Sequence, residues 1–197
     1  MKWRGQSDSG LVQTSHYQNK SVYYLTGMDG RLDKGLGEAI SARGYRVAGR
    51  ELTGEFKKLG FQTKIDFITN DLLENYWSED ANVIANSFGA YLFLHTQAQM
   101  DPYPGNVILL SPIIGKFSTS NKGIGFIPPR AKKLAQLVSH GGLPVPHNCQ
   151  IHVGSEDWQS NPEDVKKLGI KTVIVPNAGH RLPIDYVSNI LDSWLRE

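Results

Sequence analysis

The chain has 197 residues, a formal net charge of +2 at pH 7 and a single cysteine. This length suits one domain with a full core, and the mild charge gives no argument for nucleic-acid binding. The lone Cys149 excludes an internal disulfide, and the first ten residues, MKWRGQSDSG, lack the apolar run of a signal peptide, so we expect a cytoplasmic protein without membrane contact.

The chain in order predicts a short polar segment followed by alternating strands and helices. Residues 1–20 show no periodicity and read as a tail or edge segment, whereas residues 21–197 read as one domain. Six β-branched or apolar runs predict strands. They are Ser21–Thr26, Tyr45–Ala48, Asn82–Asn86, Asn106–Leu110, Cys149–Val153 and Lys171–Val175.

Between these runs, apolar residues recur at helical spacing. We predict helices from Leu32 to Gly44, from an N-cap at Asp66, from Phe88 to His95, from Pro128-Pro129 to Val138, near Pro162, and from Leu182 to Leu195. In the last helix we expect Ile184 to face inward. We predict a loop over Gly49–Lys64. This alternation predicts an α/β fold: a doubly wound, mostly parallel sheet of about six strands with helices on both faces.

One segment, residues 111–146, interrupts the alternation. It holds five of the ten prolines, and an insertion of this length is often functional, so we predict a small lid. Its basic side chains could contact an anionic substrate, but an ordinary solvated helix face is the favoured interpretation. These side chains are Lys116, Lys122, Arg130, Lys132 and Lys133.

The third predicted strand runs directly into a helix through a single serine, Ser87. Ala85 stands two residues before it and Gly89 two residues after it. A strand–Ser–helix turn flanked by small residues is the form of a nucleophile elbow, which holds a hydroxyl at the tip of a sheet. The alternative is that Ser87 only caps the helix that follows.

Two further polar groups follow other strands at the same predicted edge of the sheet. Glu156 and Asp157 come after the fifth strand, and His180 comes after the sixth. Ligands of doubly wound sheets bind at this carboxyl edge. Ser, acid and His in this chain order are the parts of a nucleophile, a general base and the carboxylate that orients the base.

With these motifs the chain resembles a compact α/β-hydrolase. Ala85–Gly89 is similar to the elbow of that family, Gly154–Asp157 to its acid turn, Ala178–His180 to its histidine loop and Leu25–Gly30 to its oxyanion-hole turn. The resemblance extends from Ser21 to the C-terminus. Two positions depart from the family pattern, because Ala85 replaces the usual glycine and Thr26 stands where many members have histidine.

The resemblance implies a catalytic triad of Ser87, His180 and Asp157, with Glu156 as the competing acid. It also implies an oxyanion hole formed by the backbone amides of Met28 and Phe88. No cofactor is implied. The histidines show no metal-ligand spacing, so we expect no metal, and Cys149 reads as a core residue rather than a nucleophile.

These features predict a serine hydrolase that cleaves an ester or thioester of a small or medium acyl group through an acyl-enzyme on Ser87. Phe88, Tyr91 and Met28 suggest a modest apolar pocket, and the expected partner is a small-molecule acyl substrate. The alternative is a non-catalytic binding protein that retains the fold. A nucleotide-binding domain is disfavoured, because the turn Gly27–Gly30 lacks the third glycine of the dinucleotide fingerprint and a P-loop lysine. The sequence does not indicate an oligomeric state.

Overall fold

The computed structural model describes residues 20–115, 117–119 and 124–195, so most of the predicted N-terminal tail, together with Lys116 and Lys122, lies outside the described residues. The strands are β1 Ser21–Met28, β2 Arg46–Leu52, β3 Asn82–Asn86, β4 Asn106–Leu110, β5 Phe117–Thr119, β6 Ile124–Phe126, β7 Asn148–Gly154 and β8 Lys171–Val175. The helices are α1 Leu36–Ser41, α2 Gly54–Lys58, α3 Phe61–Asn75, α4 Phe88–Gln97, α5 Ala131–Ser139, α6 Pro162–Lys166 and α7 Ile184–Trp194. Across these three ranges, no helix has the length and apolarity needed to cross a bilayer.

Six strands form one all-parallel sheet in the order β2-β1-β3-β4-β7-β8. Each of the six predicted strands is present, which confirms the predicted fold class. The strand order reverses at β1, which has β2 on one side and β3 on the other. In open α/β sheets such a reversal opens a crevice beyond the carboxyl ends of the two strands, and this places a ligand site after β1 and β3.

The sheet is buried on both faces because its central strands are continuous apolar runs. Val83, Ile84 and Ala85 of β3 are all fully buried. Neighbouring residues alternate between two cores, so that Tyr23 belongs to the core covered by α3 and α4, and Tyr24 to the core covered by α1 and α7. The helices are therefore distributed on both faces, as the alternating pattern predicts.

Three local predictions are wrong. The predicted loop Gly49–Lys64 instead contains the end of β2, all of α2 and the first turn of α3. Asp66, predicted as the N-cap, lies inside α3, because the helical spacing already begins at Phe61. Ile184 was expected to face inward but is 86% exposed, since it is the first residue of α7 and lies at the rim.

The predicted lid, residues 111–146, contains a short antiparallel hairpin of β5 and β6, followed by α5. The helix matches the prediction, whereas the hairpin was not predicted, because strands of three residues give too short a periodic signal. The rings of Phe117 and Phe126 in the hairpin pack against each other at a tilt of 43°, with centroids 5.5 Å apart. That this segment acts as a lid stays a prediction.

Candidate active site

Ser87 occupies the tight turn between β3 and α4. Its backbone has φ 53° and ψ −117°, a left-handed conformation that is strained for a residue with a side chain. The Ser87 hydroxyl makes no capping bond to α4. It lies 2.8 Å from Nε2 of His180 instead. The structure therefore disagrees with the interpretation of Ser87 as a plain helix cap.

Small residues let this turn form. A Cβ atom added at Gly89 would lie 2.4 Å from the carbonyl oxygen of Thr26, so α4 can sit this close to β1 only with glycine there. Ala85, in place of the usual glycine, is fully buried without obstructing the turn. The Thr26 hydroxyl, where many family members have histidine, accepts a hydrogen bond of 2.9 Å from the backbone N–H of Leu52. Thr26 thus ties β1 to β2.

His180 and Asp157 meet because the loops after β7 and β8 are packed together. A Cβ atom added at Gly154 would lie 2.1 Å from the carbonyl oxygen of Ala178. The backbone N–H of Glu156 donates to that same carbonyl over 2.9 Å. The result is that Nδ1 of His180 lies 3.0 Å from Oδ2 and 3.1 Å from Oδ1 of Asp157.

The Asp157 carboxylate has no exposed surface and is held by backbone donors. The N–H groups of Gln159 and Ser160 each donate to its Oδ1 over 2.9 Å. These two hydrogen bonds fix the orientation of the carboxylate. Glu156, by contrast, is exposed and makes no side-chain contact to His180 among the described residues. The structure places Asp157, rather than Glu156, against the imidazole.

This arrangement fixes the direction of proton transfer. An ionised carboxylate only accepts hydrogen bonds, so Nδ1 of His180 carries the proton that faces Asp157. Nε2 then has a free lone pair directed at the Ser87 hydroxyl, 2.8 Å away. The three side chains can therefore withdraw a proton from Ser87 and hold the resulting imidazolium beside a negative charge.

A cavity of about 1220 Å³ opens over Ser87 and His180. Met28 and Phe88, whose amides the resemblance assigns to an oxyanion hole, both line this cavity, and that role of their amides stays a prediction. Phe117 and Phe126 line it from the insertion. The cavity exceeds the ~300–1,000 Å³ usual for small-molecule sites. It is therefore larger than the modest pocket expected from the sequence.

One expected pocket residue lies elsewhere. Tyr91 is fully buried in the core between α3 and α4, because it lies on the inner side of α4 one turn beyond Phe88. Conversely, sequence reasoning missed Lys64, which lines the cavity from the first turn of α3. Its helix was predicted to begin after it, so no pattern singled it out.

The remaining candidate groups are core residues. Burial raises the pKa of the Cys149 thiol, which disfavours a reactive thiolate. Burial also lowers the pKa of His95 and of His152, each to about 4, so both imidazoles are neutral near pH 7. Within the part of the chain that the structure describes, no cluster of three or more His, Cys, Asp or Glu side chains could hold a metal ion.

Comparison with known proteins adds information at the level of the fold. No family model and no curated protein matches the sequence. Among solved structures, the alpha/beta hydrolase domain-containing protein 10 from mouse is similar with a TM-score of 0.65 at 12% identity, covering 89% of each chain. Est1E from Butyrivibrio proteoclasticus is similar with a TM-score of 0.60 at 11% identity, covering 89% of this chain and 86% of its own.

An uncharacterized protein from Bacillus cereus is similar with a TM-score of 0.58 at 15% identity, and the match covers 90% of this chain but only 59% of that longer one. Identities this low carry information on architecture alone. They agree with the α/β architecture described above. The chain therefore has the fold of the α/β-hydrolase superfamily.

Proposed function

We propose that this protein is a serine hydrolase that cleaves an ester or thioester through an acyl-enzyme on Ser87. The observation that carries the proposal is the continuous chain of contacts from Ser87 through His180 to Asp157, with 2.8 Å at the first contact and 3.0 Å at the second. When a buried carboxylate contacts a histidine that itself contacts a strained serine, the histidine can activate the serine hydroxyl as a nucleophile.

In the proposed reaction, Nε2 of His180 takes the Ser87 proton while Oγ attacks the acyl carbon. The imidazolium then gives that proton to the leaving alcohol or thiol, and the acyl group remains as an ester on Ser87. Water, deprotonated by His180, hydrolyses this ester and restores the hydroxyl. General-base assistance of this kind is worth about 10²–10⁴ in rate.

Negative charge develops on the carbonyl oxygen in both steps. The amide of Phe88 is the first of α4, and the first N–H groups of a helix have no acceptor within it. We assign the amides of Phe88 and Met28 to this oxyanion, where one donor is worth about 3–4 kcal/mol. The positive end of the α4 dipole acts in the same direction.

Two observations guide the choice of substrates. The size of the cavity, about 1220 Å³, argues for testing long acyl chains beside short ones. Est1E, one of the similar structures, has also been solved with ferulic acid bound. An aromatic acyl ester therefore belongs in the panel with aliphatic esters and thioesters of two to sixteen carbons, a range of roughly the lengths that such a cavity could enclose.

The experiment is labelling with a fluorophosphonate probe, read by intact mass. We expect the native protein to gain one probe adduct, and the Ser87→Ala, His180→Ala and heat-denatured proteins to gain none. Ser188→Ala is the matched control, because Ser188 lines the same cavity but its hydroxyl accepts a hydrogen bond from Arg43, and this variant should label normally. A well-folded native protein that gains no adduct would instead favour a non-catalytic binding protein.

A further inference from the structure

The cavity over Ser87 extends to both faces of the sheet, and its two sides differ in chemistry. On the side of α1 and α7 it is lined by aliphatic groups such as Leu36, Val187 and Leu191. On the side of α2 and α3, Lys64 lies in the lining beside Phe61 and Leu59. Ser87 belongs to the same lining, so a substrate that fills the cavity meets an apolar region and a basic region.

Lys64 is an unusual lysine because it is only 6% exposed. Its ammonium donates one hydrogen bond, to the backbone carbonyl of Leu59, and no carboxylate among the described residues pairs with it. An ammonium carries three donors, and burial without a counterion is costly. Accordingly, burial lowers the pKa of Lys64. An anion entering the cavity would offset this cost.

The other charges around the cavity are consistent with an anionic ligand. Its lining contains no Asp or Glu among the described residues. Lys57, also in the lining, is neutralised by Asp29 at 2.7 Å. Arg181 has no ion-pair or hydrogen-bond partner within the described chain, but it is exposed and sequence-adjacent to His180. Lys64 is thus the buried, uncompensated cation of the cavity.

We propose that the substrate of this site carries an anionic group, a carboxylate or a phosphate, which Lys64 binds inside the cavity while the scissile carbonyl lies at Ser87. This inference rests on the proposed hydrolase function and adds a substrate class to it. The cavity offers an apolar region for the aliphatic part of the substrate and a positive charge for its anionic group. The preference for charged over neutral esters then comes from a buried, charge-assisted hydrogen bond.

The test uses ester pairs that differ only in charge. The first pair is the p-nitrophenyl ester of adipic acid with its second carboxyl free, and the same compound methylated there. The second is the p-nitrophenyl ester of 6-phosphohexanoic acid and its dimethyl phosphate. The third places the charge on the leaving group, as 4-acetoxybenzoate and its methyl ester. Each is assayed with the native protein, Lys64→Met, Lys64→Arg and Arg181→Gln.

We expect the native protein to prefer the charged member of at least one pair by about 10- to 100-fold in kcat/KM. In Lys64→Met, kcat/KM for the charged member should fall to about that of its neutral partner, so that the preference is lost, and Lys64→Arg should retain most of it. Where hydrolysis is measured, the inference is wrong if no pair shows the preference, if the preference survives Lys64→Met, or if Arg181→Gln abolishes it instead.

A binding measurement separates this inference from the hydrolase proposal. Ser87→Ala cannot be acylated, so calorimetry can compare the charged and neutral esters on this background with and without Lys64→Met. Tighter binding of a charged ester that depends on Lys64 supports the anion site even where no turnover is found. Equal binding of all the esters, together with normal fluorophosphonate labelling of the native protein, would refute the anion site and leave the hydrolase proposal standing.

Discussion

The exchange Asp157→Asn isolates the role of the buried carboxylate with little change in shape. Both backbone bonds to Asp157, from Gln159 and Ser160, end on Oδ1. The amide oxygen of asparagine can occupy that position and keep both bonds. Its NH₂ group then occupies the position of Oδ2, which lies 3.0 Å from Nδ1 of His180. Two donors cannot share that contact.

The Oδ1 atom lies 3.1 Å from Nδ1 but already accepts from two backbone N–H groups. We therefore expect His180 to shift its proton from Nδ1 to Nε2 in this variant. Nε2 then donates to the Ser87 hydroxyl over the 2.8 Å contact and can no longer accept its proton. Loss of the correct tautomer costs about 10⁴ in kcat in the best-studied Ser-His-Asp triad, which is roughly 5.4 kcal/mol of transition-state stabilisation. We expect a loss of the same order here, with the midpoint of urea unfolding little changed.

The assay is the steady-state hydrolysis of the best neutral p-nitrophenyl ester, with urea unfolding followed in parallel. Glu156→Gln is the matched control, because it removes the neighbouring acid, which is exposed, and it should stay within about twofold of the native rate. Asp157→Asn retaining more than a tenth of the native kcat would refute the reasoning. Equal losses in the two variants would do the same.

Three further predictions concern stability, each measured by urea unfolding. Because the pKa of His95 and of His152 is lowered to about 4, the unfolded chain takes up their protons first as the pH falls from 6.5 to 4. The free energy of unfolding should then drop by about 2 kcal/mol per histidine between pH 7 and pH 5. If the variant with both histidines replaced by Gln shows the same drop as the native protein, these histidines are not its cause. Gly89→Ala places a Cβ atom 2.4 Å from a β1 carbonyl and should cost about 3 kcal/mol or more; a cost below 1 kcal/mol would mean that α4 is not fixed on β1. Arg50→Met removes a guanidinium that contacts Asp71 twice at 2.6 Å and should cost about 1–3 kcal/mol, whereas an unchanged midpoint would show the pair to be energetically neutral.

The sheet could be predicted from the sequence because its strands are buried on both faces. Continuous apolar runs such as Asn106–Leu110 are typical of strands in a parallel sheet that is covered on both faces. The first turn of α3 was missed because Phe61 follows Gly60 and a short helix that has no buried residue of its own. The β5–β6 hairpin was missed because each strand has only three residues, and tertiary contacts rather than local pattern support it.

The positions of Ser87, Asp157 and His180 could be anticipated because each follows the carboxyl end of a parallel strand. Parallel strands bring these ends to one edge, so topology alone gathers the three residues. Lys64 has no such positional signal. Its burial depends on how the first turn of α3 lies beside Leu59 at the cavity, and a lysine in a helix is solvated in most proteins. The charged residues that line the cavity could therefore be identified only from the structure.

The most direct test of the central claim is to observe the acyl group on the enzyme. The protein is mixed with an excess of a p-nitrophenyl ester, quenched in acid within the first turnovers, and its intact mass is measured before peptide mapping. We predict one added acyl mass, located on the peptide that contains Ser87 and absent from Ser87→Ala. Turnover that persists in Ser87→Ala, or an acyl group found on another residue, would contradict the proposal that Ser87 is the nucleophile.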